Sequence, residues 1–206
     1  MISKSRLAMG LSKLRVFPNP KIKSEQYATD SEIAATILTQ AQMLGDISGK
    51  IIADFGAGTG ILGIGCLMLG AKKVYFVEQD KEAMPVLRVN VEGLHNSDFK
   101  GSSIYFEGRV EDFEITVDTV IQNPPFGTKV RHSDRVFLER AMAVAPVIYS
   151  VHKSTTEDFI EAFSSDNGFR ISHFWDYELP LRATLKHHKK RVFYTKVRVY
   201  RLTKEG

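Results

Sequence analysis

A chain of 206 residues, 43% hydrophobic and 25% charged, has the make-up of one soluble globular domain with a sizeable core. No apolar run is long enough to span a bilayer, and the lysine-bearing N-terminus lacks the apolar stretch of a signal peptide. The one cysteine, Cys66, excludes an internal disulfide and fits a reducing cytoplasm, and its place in an apolar helix makes it a core residue.

The net charge of +4 is unevenly spread, with six basic residues (Lys4, Arg6, Lys13, Arg15, Lys21 and Lys23) and no acid before Glu25. Residues 1–29 therefore read as a basic arm, broken by Pro18 and Pro20, that leads into the domain. Asp30 or Ser31 can cap a helix starting near Glu32, where Ile33, Ala34, Ile37, Leu38 and Ala41 recur at helical spacing up to Gly45. Ile51 to Phe55 is a short strand, followed by a glycine-rich turn and the apolar helix Ile61 to Leu69, which Gly70 stops. Lys73 to Val77 is the next strand and ends at Glu78. Lys81 to Leu94 has helical spacing and tolerates Pro85 near its first turn. Ser103 to Phe106 and Val117 to Ile121 are strands, and Ser133 to Ala145 is a helix with Val136, Phe137, Ala141 and Val144 on one face. After the strand Val147 to Val151, Ser154-Thr155-Thr156-Glu157 matches a capping box and opens a helix that Gly168 ends. From Phe169 onward, and best at Val192 to Leu202, alternation predicts an antiparallel hairpin that carries the second basic cluster, Lys186 to Arg191.

Strands alternating with helices predict an α/β fold with a mainly parallel sheet. Ligands of such sheets bind at the carboxyl ends of the strands, and three unusual stretches fall at such ends. The first is Gly58-Thr59-Gly60-Ile61-Leu62-Gly63, which satisfies the dinucleotide pattern G-x-G-x-x-G, with Glu78 at the distance of a ribose-binding acid. Against a dinucleotide stands Asp54, whose carboxylate would face a pyrophosphate. A cationic donor such as S-adenosylmethionine suits Asp54-x-Gly56-x-Gly58-x-Gly60 better, the glycines letting the backbone approach a nucleoside and an amino acid together. The bland alternatives are helix capping for Asp54 and a solvated strand end for Glu78.

After the glycine turn and Glu78, the third stretch is Asn123-Pro124-Pro125-Phe126. Two prolines cannot continue a strand and hold the residues before them extended, leaving a stiff platform with an amide, carbonyls free of the ladder and an aromatic ring. Such a platform suits a planar ligand bearing an amine. The bland alternatives are a turn asparagine and a core phenylalanine.

With these residues in place the chain resembles a class I S-adenosylmethionine-dependent methyltransferase. Gln26-Tyr27-x-Thr29, Asn123 to Lys129, His152-Lys153-Ser154, Tyr177-Glu178-Leu179-Pro180 and His188-Lys189-Lys190 together resemble the methyltransferase-like protein 5 family, from about Glu25 to the end. The resemblance implies a single Rossmann-like domain: seven strands, mostly parallel with an antiparallel C-terminal strand, and helices on both faces. It implies methylation of adenine N6 in small-subunit ribosomal RNA, with guanine N2, DNA adenine and protein glutamine as rival acceptors and a dinucleotide-dependent oxidoreductase as the rival class. Gln26, Tyr27 and Thr29 would close over the donor, and Val110 would pack its adenine. Many relatives have an acid near position 109, whereas this chain reads Arg109-Val110-Glu111-Asp112. Asn123 Oδ1 and the Pro124 carbonyl would accept the N–H bonds of the target amine, and Phe126 would stack on a base held out of any duplex. Lys129, Arg131, His188, Lys189 and Lys190 would hold RNA phosphates. His187 and His188 lack the accompanying cysteine or carboxylate of a metal site. The resemblance also implies a small zinc-containing activator protein as partner.

Overall fold

Short runs rich in β-branched and aromatic residues form the seven strands of one sheet, in the order β3-β2-β1-β4-β5-β7-β6. The computed structural model describes residues 2–17, 29–93, 101–125, 133–182 and 192–205. β1 (Ile51–Phe55), β2 (Lys73–Glu78), β3 (Ser102–Glu107), β4 (Thr119–Gln122) and β5 (Val147–Lys153) are parallel. β7 (Val192–Lys204) runs antiparallel to both β5 and β6 (Phe169–Arg182), as the alternating tail predicts.

Successive residues of each strand feed two separate cores. Ile52, Val74, Phe76, Ile121, Tyr149, Val197 and Val199 meet α1 (Lys4–Leu11), α2 (Ser31–Met43), α3 (Ile61–Met68) and α4 (Ala83–Glu92) on one face. Ala53, Phe55, Val77, Val120, Ile148, Tyr200 and Leu202 meet α5 (Ser133–Val144) and α6 (Glu157–Asp166) on the other. A parallel sheet covered on both faces explains why its strands are nearly all apolar. Cys66 is buried in the first core, where desolvation pushes its thiol well above the ordinary value.

The N-terminal part differs from the basic arm read from the sequence. Lys4–Leu11 is a helix whose Leu7, Ala8 and Leu11 are buried, and Ser3 Oγ caps it by accepting the Arg6 N–H at 3.3 Å. The lysine and arginine side chains point outward, so the basic count hid a short amphipathic helix. The capping box also fails. Ser154–Thr156 is a single 3-10 turn, Thr156 Oγ1 donates to the Lys153 carbonyl at 2.8 Å, and the Glu157 carboxylate is taken by Arg198 of β7. Asp30 caps α2 as anticipated, accepting from the Glu32 and Ile33 N–H groups at 2.9 and 3.3 Å. α4 starts at Ala83, which leaves Pro85 inside its first turn. No helix among the described residues is long and apolar enough to cross a membrane.

Candidate active site

A cleft of about 350 Å³ opens at the carboxyl ends of β1, β2 and β4. Its lining includes Thr29, Asp54, Gly56, Gly58, Glu78, Val110, Asn123 and Pro125, so residues far apart in sequence converge there. Gly60 closes the glycine turn just beneath it as the residue before α3, donating its N–H to the Ala57 carbonyl at 2.8 Å.

The turn between β1 and α3 is built from left-handed glycines, with φ of 67° at Gly56, 57° at Gly58 and 94° at Gly60. A side chain at any of the three would be strained, and the resulting loop exposes backbone to the cleft. The helix that follows has no side-chain cap of its own. Asp54 supplies one from the strand before, its Oδ2 accepting the Gly63 N–H at 2.8 Å. Capping and a place in the cleft thus coincide at Asp54 rather than compete. Gly63 permits the contact, because a Cβ there would lie 2.9 Å from Asp54 Oδ2 and 2.4 Å from Phe76 Cε1.

Asp54 is 1% exposed, and burial raises its carboxyl from 3.8 to about 7. The Gly63 hydrogen bond opposes the rise and the neighbouring Glu78 charge adds to it. Glu78 at the end of β2 is also raised by burial, though less, since its Oε2 accepts from Gly58 N–H at 2.8 Å and its Oε1 from Asp80 N–H at 2.7 Å. Each carboxylate oxygen keeps a second lone pair for a ligand. Two buried acids facing one cleft form a site for a cation or for hydroxyl donors, and a poor one for a phosphate.

β4 ends at Gln122, and Asn123 follows it into the cleft. Asn123 Nδ2 donates to Thr29 Oγ1 at 3.0 Å, which fixes the amide. Its Oδ1 is buried and has no partner among the described residues. A buried acceptor left open costs about 1–3 kcal/mol unless a ligand supplies the donor. Behind it Gln122 Nε2 donates to Ser150 Oγ at 2.9 Å, and Ser150 Oγ lies 2.6 Å from His152 Nε2. Burial pushes His152 down to about 3, so this strut stays neutral.

Val110 is buried at the start of a 3-10 turn (Val110–Asp112) and lines the cleft beside Glu111. Burial alone would raise the Glu111 carboxyl, but its bond to Arg109, a backbone hydrogen bond and the Arg109 and Arg140 charges together leave it lowered. The acid missing near position 109 is thus matched by one at 111, facing the same cleft.

The arrangement omits some predicted residues and adds others. Gln26, Tyr27, Phe126, Lys129, Arg131, His188, Lys189 and Lys190 lie outside the described residues. Phe17, Gln79, Asp80 and Phe137 line the cleft without having been singled out as site residues. Asn90 is a further omission: it is 5% exposed on the apolar side of α4 and bonds to both Arg15 and Thr59. A polar residue in the same stripe as Leu87 and Val91 was its legible signal.

The methyltransferase small domain model matches residues 29–147, and the rRNA N(6)-adenosine-methyltransferase METTL5 of Danio rerio is 36% identical over 88% of this chain and 89% of its own. The chain belongs to this methyltransferase family. An uncharacterized protein of Methanocaldococcus jannaschii is also 36% identical, over 100% of this methyltransferase and 96% of its own length. A candidate RNA methyltransferase from Pyrococcus horikoshii, known from its crystal structure, superimposes with a TM-score of 0.90 at 43% identity, each chain covered in full at 100%. The amide at the end of β4 lines the same cleft as Asp54 and Glu78.

Proposed function

We propose that this protein transfers a methyl group from S-adenosylmethionine to the N6 amine of an adenine in small-subunit ribosomal RNA. The observation that carries the reading is the buried Asn123 Oδ1, open to a donor in the same cleft as two buried carboxylates. The cleft fits the methyl donor: its glycine turn admits a ligand against the backbone, and Asp54 and Glu78 match a cationic group and ribose hydroxyls. S-adenosylmethionine, when bound, supplies a methyl group on a sulfonium, which needs no covalent enzyme intermediate to leave.

The residues of the chain work on the acceptor. The lone pair of an adenine amine is delocalised into its ring. Asn123 Oδ1 and the Pro124 carbonyl accept the two N–H bonds and turn the lone pair out of the ring plane, with Thr29 holding the amide in that orientation. Phe126, outside the described residues, stacks on the base, which must be unpaired or flipped out to enter.

Support for an RNA surface comes from the hairpin. β5 stops pairing at Lys153↔Val197, while β6 and β7 continue paired to Arg182↔Val192. Residues 178–182 and 192–196 therefore rise past the sheet on the side of the cleft, by about 15 Å at the usual rise per residue. Tyr194 on this extension is 66% exposed, and the extension leads to the cluster that includes His188, Lys189 and Lys190. The zinc-containing activator belongs to the same reading. The outer edge of β3 pairs with no further strand among the described residues, and Ile104 on it is 39% exposed, which suits an added strand.

The test is transfer of labelled methyl to ribosomal RNA, followed by nucleoside mass spectrometry. N6-methyladenosine is the expected product, and it should also disappear from ribosomal RNA of cells lacking the gene. Methyl on guanine N2, on DNA or on a glutamine instead would overturn the acceptor assignment.

A further inference from the structure

Among the buried polar side chains, Asn90 makes three hydrogen bonds, all of them to backbone groups outside α4. Its Oδ1 accepts the Arg15 N–H at 2.8 Å, and its Nδ2 donates to the Arg15 carbonyl at 2.9 Å and to the Thr59 carbonyl at 2.9 Å. One amide thus imitates a strand neighbour for Arg15 and ties it to the middle of the glycine turn. Such fully satisfied buried networks fix a single arrangement of the parts they join.

The segment held this way continues into the cleft. α1 anchors it at one end through Leu7 and Leu11, and Leu14 packs on the same core. Two residues beyond the clamp, Phe17 lines the cleft and lies over Gly58, where an added Cβ would come within 3.1 Å of Phe17 Cζ. Gly58 donates its N–H to Glu78, so Phe17 covers the turn that orients this acid. The intervening Arg15 and Val16 point outward, with Val16 63% exposed.

We infer that residues 14–17 form a wall of the donor site, with Phe17 a binding residue for the methyl donor and Asn90 the positioning residue that holds it there. The inference rests on the S-adenosylmethionine reading above. It gives this stretch of the segment first read as a basic arm a place on the donor side of the enzyme. Without the clamp, the segment is free to leave Gly58, and the donor meets a competent wall only for the fraction of time it is seated.

The experiment measures donor affinity by calorimetry, with S-adenosylmethionine as titrant, for the full chain and for Phe17→Ala, Asn90→Ala and the double variant. If seating falls to about a tenth, the dissociation constant rises about tenfold. Phe17→Ala and Asn90→Ala should each show this rise, and the double variant should be no worse than the weaker binder, because both act through one segment. KM for the donor should rise likewise, while kcat at saturating donor and KM for RNA stay near those of the parent. Phe17 is half-exposed, so its replacement leaves a folded protein even where the Asn90 variant is destabilised. Wild-type binding with unchanged affinity in Phe17→Ala overturns the wall. A lower melting temperature with unchanged affinity in Asn90→Ala makes Asn90 structural and overturns its positioning role. Failure of the wild type to bind S-adenosylmethionine would instead sink the reading on which the inference rests.

Discussion

Replacing Asp54 by asparagine separates what this residue does for the fold from what it does for the donor. The structure gives the sign. Burial carries its carboxyl from the ordinary 3.8 to about 7 in the folded chain, so the protonated form is stabilised by the fold and the ionised form is penalised. The associated stability is fully present below 3.8 and is lost as the pH rises through about 7. A displacement of that size corresponds to about 4 kcal/mol. Asparagine can still accept the Gly63 N–H through its amide oxygen, so the α3 cap survives. Its amide nitrogen needs an acceptor and costs about 1–3 kcal/mol where none is supplied. The expectation is that Asp54→Asn melts near or below the parent at pH 5 and gains on it steadily towards pH 8. At roughly 2–4 °C per kcal/mol for a chain of this length, the gap should widen by up to about 10 °C. Donor affinity should be lost, and in the parent it should strengthen up to about tenfold between pH 6 and pH 8 as the carboxyl ionises. Thermal melts without ligand and calorimetric titration with S-adenosylmethionine read both quantities. A melting gap that does not widen with pH would refute the burial argument, and a variant that keeps donor affinity would refute the assignment of Asp54 to the donor.

Asn123→Ala should lower methyl transfer by about 10²-fold or more while leaving donor binding nearly intact, since it removes the amine acceptor alone. Equal loss of both, by labelled-methyl assay and calorimetry, would contradict that division. Thr29→Val frees the Asn123 amide and should cost about tenfold in kcat at saturating donor, read by labelled-methyl assay. Gly63→Ala drives a Cβ to 2.4 Å from Phe76 and 2.9 Å from Asp54 Oδ2, and should destabilise by about 1–3 kcal/mol in urea titration. His152, depressed from 6.5 to about 3, favours the fold above 6.5 and withdraws that contribution as the pH falls towards 3. His152→Gln should therefore show a shallower acid limb in melting temperature over that window, and an unchanged limb would place the acid sensitivity elsewhere.

The parallel sheet and the positions of its carboxyl ends were legible because the strands are buried on both faces and bounded by glycine, proline and acids. Asp54, Glu78 and Asn123 stood out as polar residues at the ends of apolar runs, and that contrast survives the loss of all tertiary information. α1 was not legible, since two apolar turns flanked by lysines look the same whether solvated or docked. Docking shows only in the contacts: Leu7 and Leu11 are buried in the core that α1 shares with α2 and α3, and Gly10 of α1 leaves room for Met68 of α3, to which a Cβ would come within 2.4 Å. The capping box failed for a similar reason. Arg198, more than forty residues away, competes for Glu157 with a charged partner that local spacing cannot anticipate. Thr29 was read as a donor contact, and its bond to Asn123 joins residues 94 apart in sequence.

The register of the sheet explains why donor and acceptor chemistry share one cleft. Phe55 pairs with Val77 on one side and with Gln122 on the other. The residue before Phe55 and those following Val77 and Gln122 are Asp54, Glu78 and Asn123; Asp54 stands opposite Phe76 and Ile121, so the three groups fall near the ends of three neighbouring strands, β1 between the other two. Two of those strands end in carboxylates that burial makes reluctant to ionise, and the central sheet neighbour on the far side ends in a neutral amide. A cation entering on the acid side recovers the cost of ionising them, whereas a pyrophosphate there adds like charge to a desolvated pair. The neutral amide can only exchange hydrogen bonds, and with one N–H of Nδ2 committed to Thr29 its buried Oδ1 is the acceptor left open. A positive donor on one strand end and an N–H-bearing acceptor one strand away are what methyl transfer to an amine requires.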